Sequence, residues 1–142
     1  LYVPFFGWAL GLLKMVHINR KDGTNAFVSV ARQGKERLAD GSWIIMFPEG
    51  TRTRTGDPKP RYKSGGARLA VDTGAWVIPI AHNSGRVWPR NSFLKYPGLI
   101  TLSVGPAIAS AGKTGDQLNR EVQAWIEAEM RRIDADSYRE RA

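Results

Sequence analysis

An apolar run of strand length passes directly into a long polar loop near the centre of this sequence, and this junction most constrains the fold. Trp43–Phe47 is uninterrupted apolar sequence, which is typical of a buried central strand. Residues 48–66 are polar and rich in glycine and proline, and a loop of this length is usually functional or disordered. We therefore expect a functional loop at the carboxyl end of a buried strand, where α/β folds place their ligand sites.

Helical and strand-like segments alternate along the chain, which predicts an α/β fold with a mixed β-sheet flanked by helices. Trp43 and Trp76 lie in apolar runs and are expected in the core, whereas Pro79 lacks a ladder donor and is expected at a strand end or sheet edge. The length of 142 residues and the absence of a linker indicate a single domain over residues 1–142. Helices are predicted at Asn25–Leu38, at Ala67–Thr73 and after a capping box at Thr114–Gln117, the last with its charges on a solvated face, and further strands at Met15–Asn19, Trp76–Ile80 and Leu99–Val104.

The net charge of +8 points to an anionic partner such as a phosphorylated substrate, a membrane surface or nucleic acid. The surplus is local, because residues 14–68 carry 12 basic and 5 acidic side chains, while residues 113–142 carry 6 and 7. The absence of cysteine excludes disulfides and cysteine-based zinc sites. With His17 and His82 as the only histidines, we expect no metal site.

The polar loop contains the residue types that bind a phosphorylated head group. Arg52 offers a planar fork that matches phosphate oxygens, and Gly50 lets backbone N–H groups approach a ligand. Gly65 and Gly66 open a helix, whose first N–H groups favour an anion. Glu49 is suited to orient the arginine or to accept hydrogen bonds from glycerol hydroxyls. A glycerol phosphate fits this pattern; the alternative is a flexible, solvated basic loop.

The run Phe47–Arg52 has the sequence FPEGTR and resembles the signature of the lysophosphatidate acyltransferase family of glycerolipid acyltransferases. The order of further blocks agrees with the family pattern, so that the resemblance covers nearly the whole chain. These blocks are Tyr2–Trp8, Ile18–Arg20, Tyr62–Gly65 and Val77–Ile80.

The resemblance implies transfer of a fatty acyl group from a thioester of acyl carrier protein or coenzyme A to the free hydroxyl of lysophosphatidate, which gives phosphatidate in phospholipid biosynthesis. It implies no cofactor, and a membrane-associated protein at the cytoplasmic face. Carried over residue by residue, the substrate-binding residues are Arg20 and Arg52 on the phosphate, Lys63 close to it, and Glu49, Gly50 and Thr51 around the glycerol, with Val77–Ile80 supporting the site or contacting the acyl chain.

In this family a histidine and an aspartate with four residues between them form the catalytic pair, and the histidine is the general base. His17 and Asp22 have this spacing, but they overlap the second motif through Arg20, whereas the family's pair precedes that motif. We therefore expect no catalytic residue in this chain, and expect the pair upstream of Leu1 of an N-terminally truncated domain that binds lysophosphatidate weakly and is inactive alone. The alternative is that the Lys21–Gly23 turn brings His17 and Asp22 together in a catalytic pair.

Other interpretations differ in partner rather than in fold. A non-catalytic basic module that binds anionic lipid or nucleic acid is the alternative function, although no nucleic-acid-binding motif is present and no nucleic-acid partner is expected. Glycerol 3-phosphate, dihydroxyacetone phosphate and other lysophospholipids remain alternative acceptors. Leu1–Leu13 is apolar but shorter than the ~20 residues of a membrane span, so it predicts either a helix on the membrane surface or a buried helix. His82 is expected to play a structural or supporting role.

Overall fold

The computed structural model describes Trp8, residues 24–51 and residues 61–139, with the side chains of residues 24–27 outside that description. The chain divides into two compact units, residues 1–44 and 45–142. The single domain expected from the length stays a prediction. The predicted strand Met15–Asn19 lies outside the described residues.

The first unit contains helix α1, Thr24–Ala39, which confirms the helix predicted at Asn25–Leu38. It ends where Gly41 takes the left-handed conformation, with φ 77°. The Gly41 N–H donates to the carbonyl of Leu38 at 3.0 Å, which satisfies a terminal carbonyl of the helix. Within the described ranges, no helix combines the length and the apolar character needed to cross a membrane.

The apolar run Trp43–Phe47 is not a buried strand, so this prediction is wrong. Trp43 is 84% exposed, Ile45 82% and Phe47 71%. No strand pairs with the run in the described part of the chain. An apolar run forms a central strand only where neighbouring strands and a covering layer enclose it. The described residues provide neither for this run. The core position expected for Trp43 is therefore also wrong.

The second unit begins with the motif segment and helix α2, Gly65–Thr73. This confirms the predicted helix, which starts earlier than expected because both glycines are helical. It ends at Gly74, whose φ of 69° places it in the left-handed region and whose N–H donates to the carbonyls of Ala70 and Val71. A glycine adopts this conformation without the steric cost that a Cβ would bring.

Strands β1, Ile80–His82, and β2, Leu102–Val104, form a two-stranded antiparallel sheet. Ile80 pairs with Val104, and an isolated bridge between Val77 and Ile108 extends the contact. The strand predicted at Trp76–Ile80 overlaps β1 only at Ile80, because Pro79, which has no N–H for the ladder, directly precedes β1, as expected for this proline. Strand β2 covers the last three residues of the strand predicted at Leu99–Val104. The α/β class is confirmed, and the sheet in the described part of the chain is antiparallel.

Helix α3, Gly115–Ile133, follows the predicted capping box. The Thr114 hydroxyl accepts from the Gln117 N–H at 3.2 Å, and the Gln117 side chain accepts from the Thr114 N–H at 2.8 Å. A short helix α4, Ala135–Arg139, comes next. The core lies between α2, α3 and the bridge segment, and its buried residues are Ala67, Ala70, Ile108 and Leu118.

Helix α3 covers only one face of the sheet. Ser103 donates to Glu129 Oε1 at 2.6 Å on this face, and a Cβ on Gly105 would lie 2.7 Å from the Trp125 ring. Side chains alternate along a strand, so Trp76 and Ile80 lie on the other face and are exposed. The core position predicted for Trp76 is therefore wrong, because no described element covers that face.

Candidate functional site

The motif residues form a tight turn directly after the apolar run. The Gly50 N–H donates to the carbonyl of Phe47 at 3.0 Å, and Gly50 has a left-handed φ of 66°. Glu49 is half-buried beside this turn, whereas Thr51 is exposed. The predicted glycerol-binding residues Glu49, Gly50 and Thr51 are therefore consecutive residues of one tight turn.

Lys63 lies against this turn. Its backbone N–H donates to the carbonyl of Pro48 at 2.7 Å, which joins the motif to the segment before α2. A Cβ built on Gly50 would lie 2.9 Å from Lys63 Cε and 3.0 Å from its Nζ. The left-handed φ thus favours glycine at position 50, and an added Cβ would have to displace the Lys63 side chain. The structure brings Gly50 and Lys63 together, while their roles in substrate binding stay predictions.

The N-terminus of α2 lies close to the same segment. A Cβ on Gly66 would lie 3.1 Å from Met46 Sδ, so the absence of a side chain lets the helix start approach the residues before the motif. Ser64 occupies the N-cap and makes no side-chain capping hydrogen bond. The first N–H groups of a helix lack intrahelical acceptors and attract anions, which suits a phosphate near the Lys63 ammonium.

Tyr62 ties the site to α3. Its hydroxyl donates to Glu127 Oε1 at 3.1 Å, and its carbonyl accepts from Asn119 Nδ2 at 3.4 Å. Burial and the carboxylates of Glu127 and Glu49 raise the pKa of the Tyr62 hydroxyl well above its ordinary range. The phenol therefore stays protonated and donates to Glu127 at every physiological pH.

The connection between Tyr62 and α3 was not predicted from the sequence. Glu127 is half-buried and accepts hydrogen bonds from the hydroxyls of both Tyr62 and Tyr138, the latter at 3.4 Å. It is therefore an exception to the expectation that the charged residues of this helix lie on a solvated face. The spacing of Asn119 and Glu127 places them on one side of α3. This spacing indicates a polar side of the helix that could contact another segment, but it does not specify which segment.

Other predicted residues lie apart from this geometry or outside the description. Arg20, Arg52, His17 and Asp22 are outside the described residues. His82 is exposed at the end of β1, and its Nδ1 lies 2.8 Å from Ser84 Oγ, an arrangement that suits a structural role. Within residues 24–51 and 61–139, no group of three or more histidine, aspartate or glutamate side chains could hold a metal ion.

Comparison with known proteins identifies relatives of this chain. The family model described as Acyltransferase matches residues 1–83. A 1-acyl-sn-glycerol-3-phosphate acyltransferase of Pseudomonas aeruginosa is 44% identical, across 94% of this chain and 52% of its own length. A protein of the same name from Chlamydomonas reinhardtii is 34% identical, across 82% of this chain and 35% of its own length. The chain thus spans about half or less of the length of these curated relatives.

A solved structure has the same fold. The crystal structure of the 1-acyl-sn-glycerophosphate acyltransferase of Thermotoga maritima matches with a TM-score of 0.77, over 94% of this chain and 53% of that chain. The sequences are 23% identical, so this likeness concerns the fold. It extends beyond residue 83, and the sheet and α3 therefore belong to the shared architecture.

Proposed function

Because this chain belongs to the acyltransferase family, we propose that it forms part of an enzyme that transfers a fatty acyl group to the free hydroxyl of lysophosphatidate, giving phosphatidate. The names of its relatives support this acceptor. The observation that carries the proposal is the contact of Lys63 with the Gly50 turn, which places an ammonium group beside the FPEGTR motif.

The acceptor phosphate is proposed to bind at this turn. Lys63 supplies an exposed ammonium, and Arg20 and Arg52 are proposed to complete the phosphate site through bidentate hydrogen bonds. The start of α2, which follows Lys63 directly, adds oriented N–H groups. A local surplus of basic residues raises the concentration of anionic lipid at the site.

The glycerol part of the acceptor is proposed to contact Glu49, Gly50 and Thr51. Glu49 is half-buried, and its carboxylate lies near enough to Tyr62 to raise the pKa of that hydroxyl. A carboxylate accepts hydrogen bonds from hydroxyl groups, and Glu49 is therefore suited to orient the glycerol. Gly50 contributes backbone groups that a ligand approaches closely.

The reaction requires a general base and an activated acyl donor. The base removes the proton of the acceptor hydroxyl as its oxygen attacks the thioester carbonyl; the carbon–sulfur bond then breaks, and the thiolate leaves and takes up a proton. The thioester supplies the activation, so no cofactor is proposed. Acyl carrier protein and coenzyme A are the proposed carriers of the donor, and the base is proposed to be a histidine paired with an aspartate.

The location follows from the substrates. Lysophosphatidate and phosphatidate reside in bilayers, and a protein of net charge +8 is attracted to anionic lipid surfaces. We propose that the protein acts at the cytoplasmic surface of a membrane, where thioester donors are dissolved. Nucleic acid is not a proposed partner.

Binding of a short-chain lysophosphatidate by calorimetry tests the phosphate site. Lys63→Ala is expected to weaken binding about tenfold, the equivalent of ~1.4 kcal/mol for a charge-assisted contact. Lys35→Ala removes an exposed lysine from α1 and serves as the matched control, with unchanged binding expected. Glycerol 3-phosphate should compete with the lipid, and an oligonucleotide should not. Equal affinity of the two variants, or competition by the oligonucleotide alone, would contradict the proposal.

Acyl transfer is measured with the product of the whole reading frame that encodes this chain, using acyl carrier protein and coenzyme A thioesters in parallel. The coding sequence upstream of Leu1 shows whether the expected histidine–aspartate pair is present. If no pair is encoded there, His17→Ala becomes the deciding variant, since it separates a catalytic pair of His17 and Asp22 from a non-catalytic basic module.

A further inference from the structure

The loop of residues 87–100, which joins the 3₁₀ helix Ser84–Arg86 to β2, presents apolar side chains to solvent. Phe93 is 97% exposed and Leu99 84%. Further large apolar side chains of the loop are also exposed, namely Trp88, Leu94, Tyr96 and Ile100. Several large exposed apolar side chains in one loop are typical of a segment that contacts a protein, a membrane or a ligand.

Hydrogen bonds within the loop hold it in one conformation. The Tyr96 N–H donates to the carbonyl of Val87 at 2.8 Å and closes the loop at its base. Trp88 Nε1 donates to the carbonyl of Ser92 at 2.9 Å. The Ser92 hydroxyl donates to the carbonyl of Leu94 at 2.9 Å and accepts from its N–H at 3.1 Å. The exposure of the apolar side chains is therefore a feature of an ordered loop.

The base of the loop is anchored in the second unit. The side chain of buried Asn83 accepts from the Thr101 N–H at 2.8 Å and donates to the carbonyl of Ile133 at 3.4 Å. Arg86 Nη1 lies 3.3 Å from the buried carboxylate of Asp134. These contacts tie both ends of the loop to the end of α3, so the loop projects from a fixed base.

The charged side chains of the loop itself are all positive. No aspartate or glutamate lies between Asp72 and Asp116 in the sequence. Arg90 and Lys95 are exposed among the apolar side chains, and Lys95 Nζ lies 4.5 Å from the centre of the Trp88 ring. Aromatic rings with nearby lysine or arginine are typical of the boundary between lipid head groups and acyl chains.

We propose that the 87–100 loop is a membrane-contact surface that inserts Phe93, Leu94 and Leu99 below the head groups of an anionic phospholipid bilayer. Arg90 and Lys95 then lie at head-group depth, where their charge complements the lipid phosphates. This inference rests on the proposed membrane association and identifies the segment that makes the contact. It requires neither catalysis nor lysophosphatidate. A bilayer matches both properties of the loop, since the basic side chains meet the lipid phosphates and the most exposed side chain, Phe93, is purely apolar and suited to the acyl chains.

Co-sedimentation with vesicles tests the proposal. Vesicles of phosphatidylglycerol and phosphatidylcholine should bind the chain more tightly than vesicles of phosphatidylcholine alone, by about 30-fold for two basic side chains. The double variant Phe93→Ser/Leu94→Ser should weaken binding to the mixed vesicles at least ~10-fold, because two apolar side chains no longer leave water. Val28→Ser, which alters an exposed apolar residue of α1, should bind as the unaltered chain does. Unaltered binding by the double variant would overturn the proposal.

Insertion depth gives a second, independent measurement. The chain has no cysteine, so Phe93→Cys and Val28→Cys each provide one attachment point for an environment-sensitive dye. The dye at position 93 should shift to the blue on addition of mixed vesicles and should be quenched by nitroxides on the lipid chains, whereas the dye at position 28 should not. A shift at position 93 that depends on protein concentration without vesicles would identify a self-association surface and overturn the proposal.

The outcome is separable from that of the proposed function. The vesicles contain no lysophosphatidate, and Lys63→Ala should weaken vesicle binding by no more than about fivefold, the upper limit for the loss of a single surface charge. Loss of lysophosphatidate binding with vesicle binding intact would contradict the proposed acceptor site alone. Loss of loop insertion with lysophosphatidate binding intact would contradict the membrane-contact surface alone.

Discussion

The Tyr62 hydroxyl lies 3.1 Å from Glu127 Oε1 and donates a hydrogen bond to it. This bond links the segment that carries Lys63 to helix α3, which lies beyond the residues 1–83 that the family model matches. The position of the motif turn therefore depends on a helix that carries none of the recognised motifs. Tyr62 and Glu127 are positioning residues for the candidate site.

Tyr62→Phe should lower the free energy of unfolding by about 1–2 kcal/mol, because it removes a hydrogen bond to a carboxylate and leaves Glu127 partly unsatisfied. Tyr138→Phe is the matched control, since its hydroxyl reaches the same carboxylate at the longer distance of 3.4 Å and should cost less. Chemical denaturation measures both. An equal loss for the two variants would show that Tyr62 has no special share in holding the site.

The same variant should change the alkaline stability of the protein. The pKa of Tyr62 is raised above its ordinary value of 10.0 in the folded state, so the unfolded chain loses this proton first as the pH rises. Its stabilising contribution is therefore complete below pH 10.0 and is lost above it. Unfolding curves against pH should show a steeper alkaline decline for the unaltered chain than for Tyr62→Phe, and parallel curves would contradict this assignment.

Gly50→Ala should weaken lysophosphatidate binding more than it weakens the fold. A left-handed alanine costs about 1–2 kcal/mol, and its Cβ would displace the Lys63 side chain, which lies 2.9 Å away at Cε. Gly112→Ala tests the first effect alone, because Gly112 has a φ of 74° with no atom within 4 Å of an added Cβ. Similar unfolding free energies with impaired binding only in Gly50→Ala are expected. Equal binding by both variants would separate Lys63 from the acceptor site.

Arg86→Ala should destabilise the protein more than Arg90→Ala. Asp134 is buried, and Arg86 is its ion-pair partner at 3.3 Å, so removal of the guanidinium leaves a buried carboxylate without compensation. Arg86 is half-exposed, which reduces the expected loss to about 1–3 kcal/mol. Arg90 is an exposed arginine of the neighbouring loop and controls for lost surface charge. Thermal unfolding compares the two, and restoration by Asp134→Asn in the Arg86→Ala background should follow.

Glu129→Gln should reduce the acid sensitivity of the fold. Hydrogen bonds from Arg132 and Ser103 lower the pKa of Glu129 from 4.5 to about 2. The unfolded chain therefore binds this proton first as the pH falls, and the stabilising contribution is present above pH 4.5 and lost between pH 4.5 and about 2. The slope of unfolding free energy against pH should be shallower in the variant over that window. Glu36→Gln, an exposed substitution in α1, is the control and should leave the slope unchanged.

Local features of the fold were predictable because neighbours in the chain decide them. The capping box of Thr114 and Gln117 and the left-handed stop at Gly74 depend on residues within one turn of helix. The family was identified in the same way from the FPEGTR run together with the ordered blocks on either side of it, because each block is a short continuous stretch of sequence. These features could therefore be predicted from the sequence without knowledge of the tertiary structure.

Long-range features were decided by the tertiary structure. The apolar character of Trp43–Phe47 and Trp76 predicted burial, yet these side chains are exposed, because burial depends on which elements cover a face and not on the residues themselves. The contact of Tyr62 with Glu127 joins residues 65 positions apart, and no pattern in either segment specifies the other. The sequence accordingly established the family, the capping box of α3 and the stop of α2 at Gly74. Only the folded chain placed α3 against Tyr62, beside Lys63, and left one face of the sheet and the 87–100 loop exposed, because the contacts that decide burial join segments far apart in the sequence.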